Sequence, residues 1–180
     1  MTTATKNLEN DHEYILRLIE IMEEMTQTEN PTTSHLEMVV QVIREFADGQ
    51  HHAKEEQLLF PLMVEKGFSL ENGPLLVMLR DHEQGRLFVK GMMNHISLFK
   101  TGDKTALKDV YADMLAYAKL LKDHIAKENN VLFRMADQVF TPVEQETLLE
   151  KFKLIEQGKN QEKSKREYAA MIGQLAVLYL

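Results

Sequence analysis

The chain has 180 residues, a formal net charge of −7 at pH 7 and no cysteine. A chain of this length suggests one domain, since roughly 70% of the unfolded surface can be buried at this size. The acidic balance, without a run of Lys or Arg, argues against a nucleic-acid partner, and the lack of cysteine excludes disulfides and thiolate metal sites. The polar N-terminal stretch and the lack of a long apolar run predict no secretory signal, no membrane partner and a cytoplasmic location.

Apolar residues recur at helical spacing along nearly the whole chain, which predicts an all-α protein. Four long helices are predicted at about residues 6–26, from the turn at 30–34 to about 67, 74–100 and 105–139. Pro61 is expected to bend the second of them, because proline removes a backbone donor and crowds the preceding turn. Two shorter helices follow, at about 142–157, after the capping sequence that begins at Thr141, and at about 161–180.

Four long helices joined by short turns favour an antiparallel up-down four-helix bundle with two additional C-terminal helices. We therefore assign residues 1–140 to the bundle and 141–180 to a C-terminal helical extension of the same domain. The apolar end of the last helix predicts that this extension docks on the bundle or on a second copy of the chain, as a homodimer.

Polar side chains interrupt each predicted inner face, which is otherwise mostly apolar. The apolar members include Leu58 and Leu62 in the second helix, Met93 in the third, and Val131 and Met135 in the fourth. The interrupting residues are His12, His51, Glu55, His82, His124 and Glu128. Buried imidazoles and carboxylates are costly unless they are paired or bound to a metal, so the six require a common explanation.

The depth of these residues along the helices agrees across all three turns. At a rise of 1.5 Å per residue, His12 lies about 21 Å before the first turn and His51 about 25 Å after it. Glu55 lies about 16 Å before the second turn and His82 about 15 Å after it, while His82 and His124 lie about 27 and 29 Å from the third. An antiparallel bundle therefore brings the six into one layer.

Four imidazoles and two carboxylates without thiolates suit a metal site better than a catalytic triad. Carboxylates in a bundle core can bridge two ions, and mixed N/O donors favour iron, with zinc as a contaminant. We expect two Fe ions that share an oxo or hydroxo bridge.

The neighbouring polar residues are expected to play no direct part in metal binding. His52 follows His51 but points about 100° away around an α-helix, so it is predicted to be exposed. Glu56 and Glu83 are predicted to face solvent and Tyr117 to be a core aromatic. The sequence does not rank the residues that could contact the imidazoles from behind, which are Asp81, Asp123 and Tyr14.

Four short motifs resemble the hemerythrin family, in particular the bacterial HHE cation-binding domains, over about residues 6–139. These are Asp11-His12, His51-x-x-x-Glu55 followed by Leu59-Phe60-Pro61, Asp81-His82-Glu83, and His124-x-x-x-Glu128. The resemblance implies that His12 and His51 bind one iron and His82 and His124 the other, and that Glu55 and Glu128 bridge both.

One position departs from the oxygen carriers of that family. They have a fifth histidine where Arg86 stands here, so the chain resembles the four-His, two-Glu version of iron-centre repair proteins and other bacterial relatives. Those repair proteins usually also carry an N-terminal segment with cysteine, which is absent from this sequence.

The expected function is a non-haem di-iron protein that binds O2 or NO for sensing, storage, or the response to oxidative or nitrosative stress. Two alternatives stay open. One is a redox enzyme (an oxidase, peroxidase or NO reductase), and the other is an iron donor for damaged iron centres.

Overall fold

In a computed structural model, the chain is described over residues 2–158 and 163–180, and these two ranges contain six helices and no strand. Helix α1 spans Ala4–Met25 and helix α3 spans Pro74–Lys100. Helix α2 covers 33–65 through the segments Thr33–Val42, Ile43–His52, Glu55–Leu59 and Phe60–Glu65. Helix α4 covers 106–139 through the segments Ala106–Lys127, Glu128–Leu132 and Phe133–Val139. Helices α5 and α6 span Pro142–Glu156 and Lys165–Tyr179.

The helix ends follow from local chemistry. The Thr3 side chain accepts a hydrogen bond from the Lys6 N–H, which satisfies one free donor at the start of α1. Complete capping boxes begin α5, at Thr141 as predicted, and α6, at Ser164. The predicted start of the last helix at 161 lies outside the described residues.

Helices α1 to α4 form the predicted four-helix bundle. Each contacts the next along the chain, and α1 also contacts α4, so the four enclose a common interior. None of the helices in the described ranges combines the length and the apolar character needed to cross a membrane.

The apolar core is divided into two clusters. The first is built by the C-terminal part of α1, the start of α2 and the facing parts of α3 and α4, and α6 covers it with Tyr168, Ile172 and Leu175. The second is built from the opposite ends of the four helices, and α5 covers it with Leu148 and Phe152. The two C-terminal helices therefore pack on the bundle, each over a different apolar cluster. The homodimer stays a prediction.

Three π-helical segments interrupt the α-helical periodicity, at Ile43–His52 and Glu55–Leu59 in α2 and at Glu128–Leu132 in α4. A π-turn closes its hydrogen bond from residue i to i+5 and so takes more residues per turn than an α-turn. Inner residues consequently recur every four positions, as in the buried series His51, Glu55, Leu59 and Met63. The phenylalanine before Pro61 donates its N–H to Glu55, and Pro61 lies in the first turn of the final segment of α2.

The π-turns explain most of the wrong inner-face predictions. Val131 is 51% exposed and its neighbour Leu132 is buried, because α-helical spacing places the inner residue one position too early. For the same reason Leu58, Leu62 and Met135 are only partly buried, although Leu58 and Leu62 still pack against the second cluster. The prediction for Met93 in α3 is also wrong. The buried residues there are Val89 and Met92, and Met93 is 42% exposed.

Candidate metal centre

A layer of buried polar side chains separates the two apolar clusters. All six residues singled out in the sequence are at most 1% exposed and lie in this layer: His12, His51, Glu55, His82, His124 and Glu128. They come from all four helices of the bundle, as the matching depths predicted. His52 joins them at 4% exposure.

The donors form two groups that share Glu55, and each group is able to hold a metal ion. The first group is His12, His51, Glu55 and Glu128, and the second is His52, Glu55, His82 and His124. Within each group the candidate ligand atoms lie within 4.8 Å of one another.

The two carboxylates face both groups. Glu55 Oε1 lies 3.6 Å from His51 Nε2, and Glu55 Oε2 lies 3.5 Å from His82 Nε2. In Glu128, Oε2 lies 3.2 Å from His12 Nε2 and Oε1 lies 3.2 Å from His124 Nε2. Each carboxylate therefore presents one oxygen to each imidazole pair, which is the arrangement that a bridge between two ions requires.

The inner nitrogens of the imidazoles meet in pairs. His12 Nε2 lies 3.0 Å from His51 Nε2, and His82 Nε2 lies 3.1 Å from His124 Nε2. Two nitrogens bound to one ion at about 2.1 Å and at a right angle would be roughly 3 Å apart. The observed spacing thus fits two imidazoles directed at one ion.

The outer nitrogens of the same imidazoles are all held by oxygen acceptors. The Nδ1 contacts are His12 with Asn129 Oδ1 at 2.7 Å, His51 with Asp11 Oδ2 at 3.4 Å, His82 with Glu56 Oε1 at 2.6 Å, and His124 with Asp81 Oδ2 at 3.4 Å. An oxygen acceptor keeps the proton of a neutral imidazole on Nδ1, so Nε2 retains its lone pair. Two facing lone pairs repel unless a proton or a cation lies between them.

Protons on the imidazoles can remove this repulsion between lone pairs when no cation is bound. Burial lowers the pKa of an imidazole, but Glu55 and Glu56 raise the pKa of His82 to about 8. Burial likewise opposes the shift at His124, where Glu128 and Asp81 raise the pKa to about 10. Metal binding displaces such protons, since a ligating imidazole must be neutral.

Unpaired buried atoms show that a cation fits this site. Both oxygens of Glu55, both oxygens of Glu128 and Nε2 of His52 are buried without a hydrogen-bond partner. Orphaned buried polar atoms are costly, and burying carboxylates without compensation costs more. Cations in the two groups would satisfy both oxygens of Glu55 and Nε2 of His52. Glu128 belongs to the first group and approaches the second through its Oε1, which lies 3.2 Å from His124 Nε2.

The prediction that His52 is exposed is wrong. The segment Ile43–His52 is π-helical, and its greater number of residues per turn brings two consecutive side chains inward. His51 is directed at His12, and the His52 ring stacks on His82 with centroids 3.8 Å apart. Burial and the nearby His82 lower the pKa of His52 well below its usual value, so this imidazole is neutral. The sequence signal that could have indicated this is the His51-His52 doublet itself.

The remaining candidates divide into residues that contact an imidazole and residues that do not. Glu56, predicted to face solvent, is instead the partner of His82 and is 27% exposed in its side chain. Asp81 is the partner of His124, whereas Asp123 pairs with Lys119 on the surface. Glu83 is exposed and Tyr117 is buried, as predicted, and the Tyr14 ring packs against Phe46.

A buried lysine, missed in the sequence, supports the histidine layer from behind. Lys54 is 1% exposed, and its Nζ donates to Asp11 Oδ2 at 2.6 Å and to Glu156 Oε1 at 2.7 Å. Lys165 in α6 donates to the other oxygen of Asp11 at 2.5 Å. Burial opposes the shift, but His51 and the two lysines lower the pKa of Asp11 well below its usual value. Helix α6 thus contacts the carboxylate that holds His51 directly, and α5 is linked to that carboxylate through Lys54.

A cavity of about 170 Å³ leads from the surface to this layer. His52, His82 and Tyr117 lie on its inner side, Ile43 and Val89 are among its apolar residues, and Arg44, Asp48, Arg86 and Lys90 are its charged residues. A small molecule therefore has a partly apolar route to the second donor group.

The comparisons with known proteins agree with this geometry. The sequence model of the hemerythrin HHE cation binding domain matches residues 3–136. The uncharacterized protein Rv1995 of Mycobacterium tuberculosis (strain H37Rv) is 26% identical over 155 residues, which is 83% of this chain and 60% of that protein. The iron-sulfur cluster repair protein YtfE of Escherichia coli (strain K12 / DH10B) is 36% identical over 89 residues, 48% of this chain and 40% of that relative. The chain thus spans at most 60% of the length of these relatives, and no solved structure matches it significantly. Because the family match covers more than half of its residues, the chain belongs to the hemerythrin HHE cation-binding family.

Proposed function

We propose that this chain holds two iron ions in a non-haem centre and binds a small diatomic ligand, O2 or NO, for sensing, storage, or the response to oxidative or nitrosative stress. His12 and His51 bind one ion and His82 and His124 the other, and Glu55 and Glu128 bridge the two. Iron with nitrogen and oxygen donors supplies reversible redox chemistry and open positions for small ligands.

One observation carries the proposal: each carboxylate presents one oxygen to each imidazole pair, and all four oxygens lack a hydrogen-bond partner. A single ion would leave part of this buried charge uncompensated. Two ions use every oxygen, which is why we favour a binuclear site over a mononuclear one.

The surroundings suit a small, uncharged ligand. The layer lies between two apolar clusters, and the cavity that reaches it has apolar Ile43, Val89 and Met93 in its walls. Small apolar diatomics cross such surroundings more readily than charged substrates do, because they lose little hydration.

Anaerobic loading of metal-free protein with iron(II), followed by elemental analysis, tests the stoichiometry. We expect two irons per chain, and a reproducible single iron in fully loaded protein would contradict the binuclear site. Titration of the loaded protein with NO then tests the ligand role. Saturation without consumption supports a binding protein, whereas continued consumption of NO or O2 in the presence of a reductant supports the redox-enzyme alternative.

A second candidate is an iron donor for damaged iron centres. The observation that favours it is the 36% identity over 89 residues to a relative that is named an iron-sulfur cluster repair protein. The test is to incubate the iron-loaded protein with an iron-depleted iron-sulfur apoprotein in two ways. In one the two proteins share a solution, and in the other a dialysis membrane separates them. Transfer that is faster on direct contact than through free iron supports donation, and equal rates argue against it.

A further inference from the structure

His52 repeats the geometry of the four histidines already assigned to the metals. Its inner nitrogen, Nε2, is buried without a hydrogen-bond partner, and the residue belongs to the second donor group, with Glu55, His82 and His124. Its outer nitrogen, Nδ1, lies 3.2 Å from Asp48 Oδ1, so a carboxylate holds it as others hold His82 and His124. Metal-binding imidazoles typically show this combination of a free inner nitrogen and an outer acceptor.

The placement of the ring also fits a ligand. The His52 ring stacks on His82 with an interplanar angle of 18° and meets the His124 ring edge-on at a centroid distance of 5.9 Å. A core imidazole with no metal to bind would be expected to find a hydrogen-bond acceptor or donor for each nitrogen. Nε2 of His52 has no such partner, whereas Nδ1 is held by Asp48.

Arg86 fixes the two carboxylates behind this group. Its Nε donates to Asp48 Oδ1 at 2.9 Å, and one terminal nitrogen donates to Glu56 Oε1 at 2.7 Å. Asp48 holds His52 and Glu56 holds His82, so one guanidinium orients the acceptors of two imidazoles. A planar fork of donors suits this double contact better than an ammonium group does.

We propose that His52 is a fifth imidazole ligand, bound to the same metal as His82 and His124, and that Arg86 is a positioning residue that acts on it through Asp48. This inference rests on the proposed binuclear centre. It makes the two metals unequal, because one has three imidazoles and the other, at His12 and His51, has two. The third imidazole of that metal would thus come from α2, while Arg86 of α3 supplies no ligand atom.

Cobalt(II) titration of the metal-free protein tests the inference, because cobalt accepts the same donors as iron and reports its ligands by visible absorption. We expect the wild-type chain to bind two cobalt ions with two distinct spectra. In His52→Ala, one site should keep its affinity while the other weakens by more than about 10-fold, since even loss of an outer partner typically costs 10–100-fold. Free imidazole, which can enter through the adjacent cavity, should restore the lost affinity and spectrum.

Substitutions at Arg86 and Asp48 test the positioning role of Arg86 in the same cobalt titration. Arg86→Ala and Asp48→Asn should weaken the same cobalt site by about 10–100-fold and leave the other site unchanged. Arg86→Lys should recover only part of the loss, because it keeps the charge but not the fork. Arg44→Ala is the matched control, since Arg44 lines the same cavity, is exposed and should not affect either site.

The outcomes separate this inference from the proposed function. If the wild-type chain binds two ions and His52→Ala binds both with unchanged affinity and spectrum, His52 is not a ligand and only the inference fails. A wild-type chain that binds fewer than two ions overturns the binuclear centre as well. Should the metal-free His52→Ala protein fail to fold by circular dichroism, His52→Gln keeps most of the side-chain volume while removing the imidazole, and the same comparison applies.

Discussion

At the scale of single residues, the two glutamates decide how many metals the site can hold. Glu55 and Glu128 are both fully buried, and each is shared between a pair of imidazoles on one side and a pair on the other. A histidine serves one ion, whereas a bridging carboxylate serves two. Loss of a glutamate should therefore weaken the binding of both ions, whereas loss of a histidine should weaken the binding of one.

Glu128→Gln should lower the affinity for both metals by more than about 10-fold, because it weakens donation to each ion and removes the negative charge between them. Iron content after equilibration with a competing chelator measures this loss. The matched control is Glu83→Gln, which changes an exposed glutamate beside His82 and should keep two irons. A Glu128→Gln protein that loses only one iron would show that this carboxylate does not bridge.

The buried Lys54 also acts at this scale. It pairs with Asp11, which is 0% exposed and holds His51. Removal of one member of a buried pair leaves an uncompensated charge and typically costs about 3–5 kcal/mol. Lys165 still contacts Asp11, so the lower end of this range applies here.

Lys54→Ala should therefore lower the free energy of unfolding of the metal-free protein by about 3 kcal/mol, measured by urea denaturation. Lys119→Ala is the control, because its ion pair with Asp123 is exposed and such pairs contribute at most about 1 kcal/mol. Equal effects of the two substitutions would show that the buried network does not stabilise the fold.

At the scale of elements, the π-helical segments determine which residues face the interior. They occur in α2 and α4, the two helices that carry a His-x-x-x-Glu pair, and Glu55 and Glu128 each begin one. Since π-turns are rare and concentrate at functional sites, their positions here agree with a metal centre. They also shift the apolar series that follows, so Leu132 and Phe133 enter the second cluster in place of Val131.

This register predicts unequal effects at neighbouring positions. Leu132→Ala should destabilise the protein by about 2–5 kcal/mol, because a buried leucine leaves a cavity in the second cluster. Val131→Ala should change the stability by no more than about 0.5 kcal/mol, because Val131 is 51% exposed. Thermal and urea unfolding of both variants measure the difference, and a larger loss at Val131 would mean that α4 is α-helical throughout.

At the scale of the whole molecule, the C-terminal extension completes the two apolar clusters. Tyr168 and Leu175 are 0% exposed in the first cluster, and Phe152 is 1% exposed in the second. Lys165 and Glu156 also reach the network behind His51. The extension therefore supports both the core and one side of the metal centre.

A chain that ends at Gly158 keeps α5 but loses α6, so it should expose the first apolar cluster and aggregate, as detected by dye binding and light scattering. In the full chain, Leu175→Ala should cost about 2–5 kcal/mol, whereas Leu178→Ala, at a position that is 59% exposed, should be close to neutral. A soluble and equally stable truncated chain would contradict the role of α6. An effect of Leu178→Ala that depends on protein concentration would instead support the predicted homodimer.

The sequence by itself determined the helical bundle, the six donors in one layer and the family. The bundle and the layer depend on the periodicity of apolar residues and on distances along helices, which a regular rise per residue converts into depth, whereas the family depends on the four short motifs that resemble it. The depth argument succeeded because about one extra residue in a π-turn shifts a position along the helix axis only slightly.

Only the tertiary structure decided which side chains around each helix face the interior. An extra residue in a turn hardly changes depth but rotates every following side chain, which is why His52, Leu132 and Leu59 were assigned to the wrong face or missed. Apart from Asp81, which was one of three unranked candidates, the residues behind the imidazoles were also beyond reach of the sequence. Lys54, Asp48 and Arg86 contact residues on other helices, and such contacts depend on how the helices are rotated against one another.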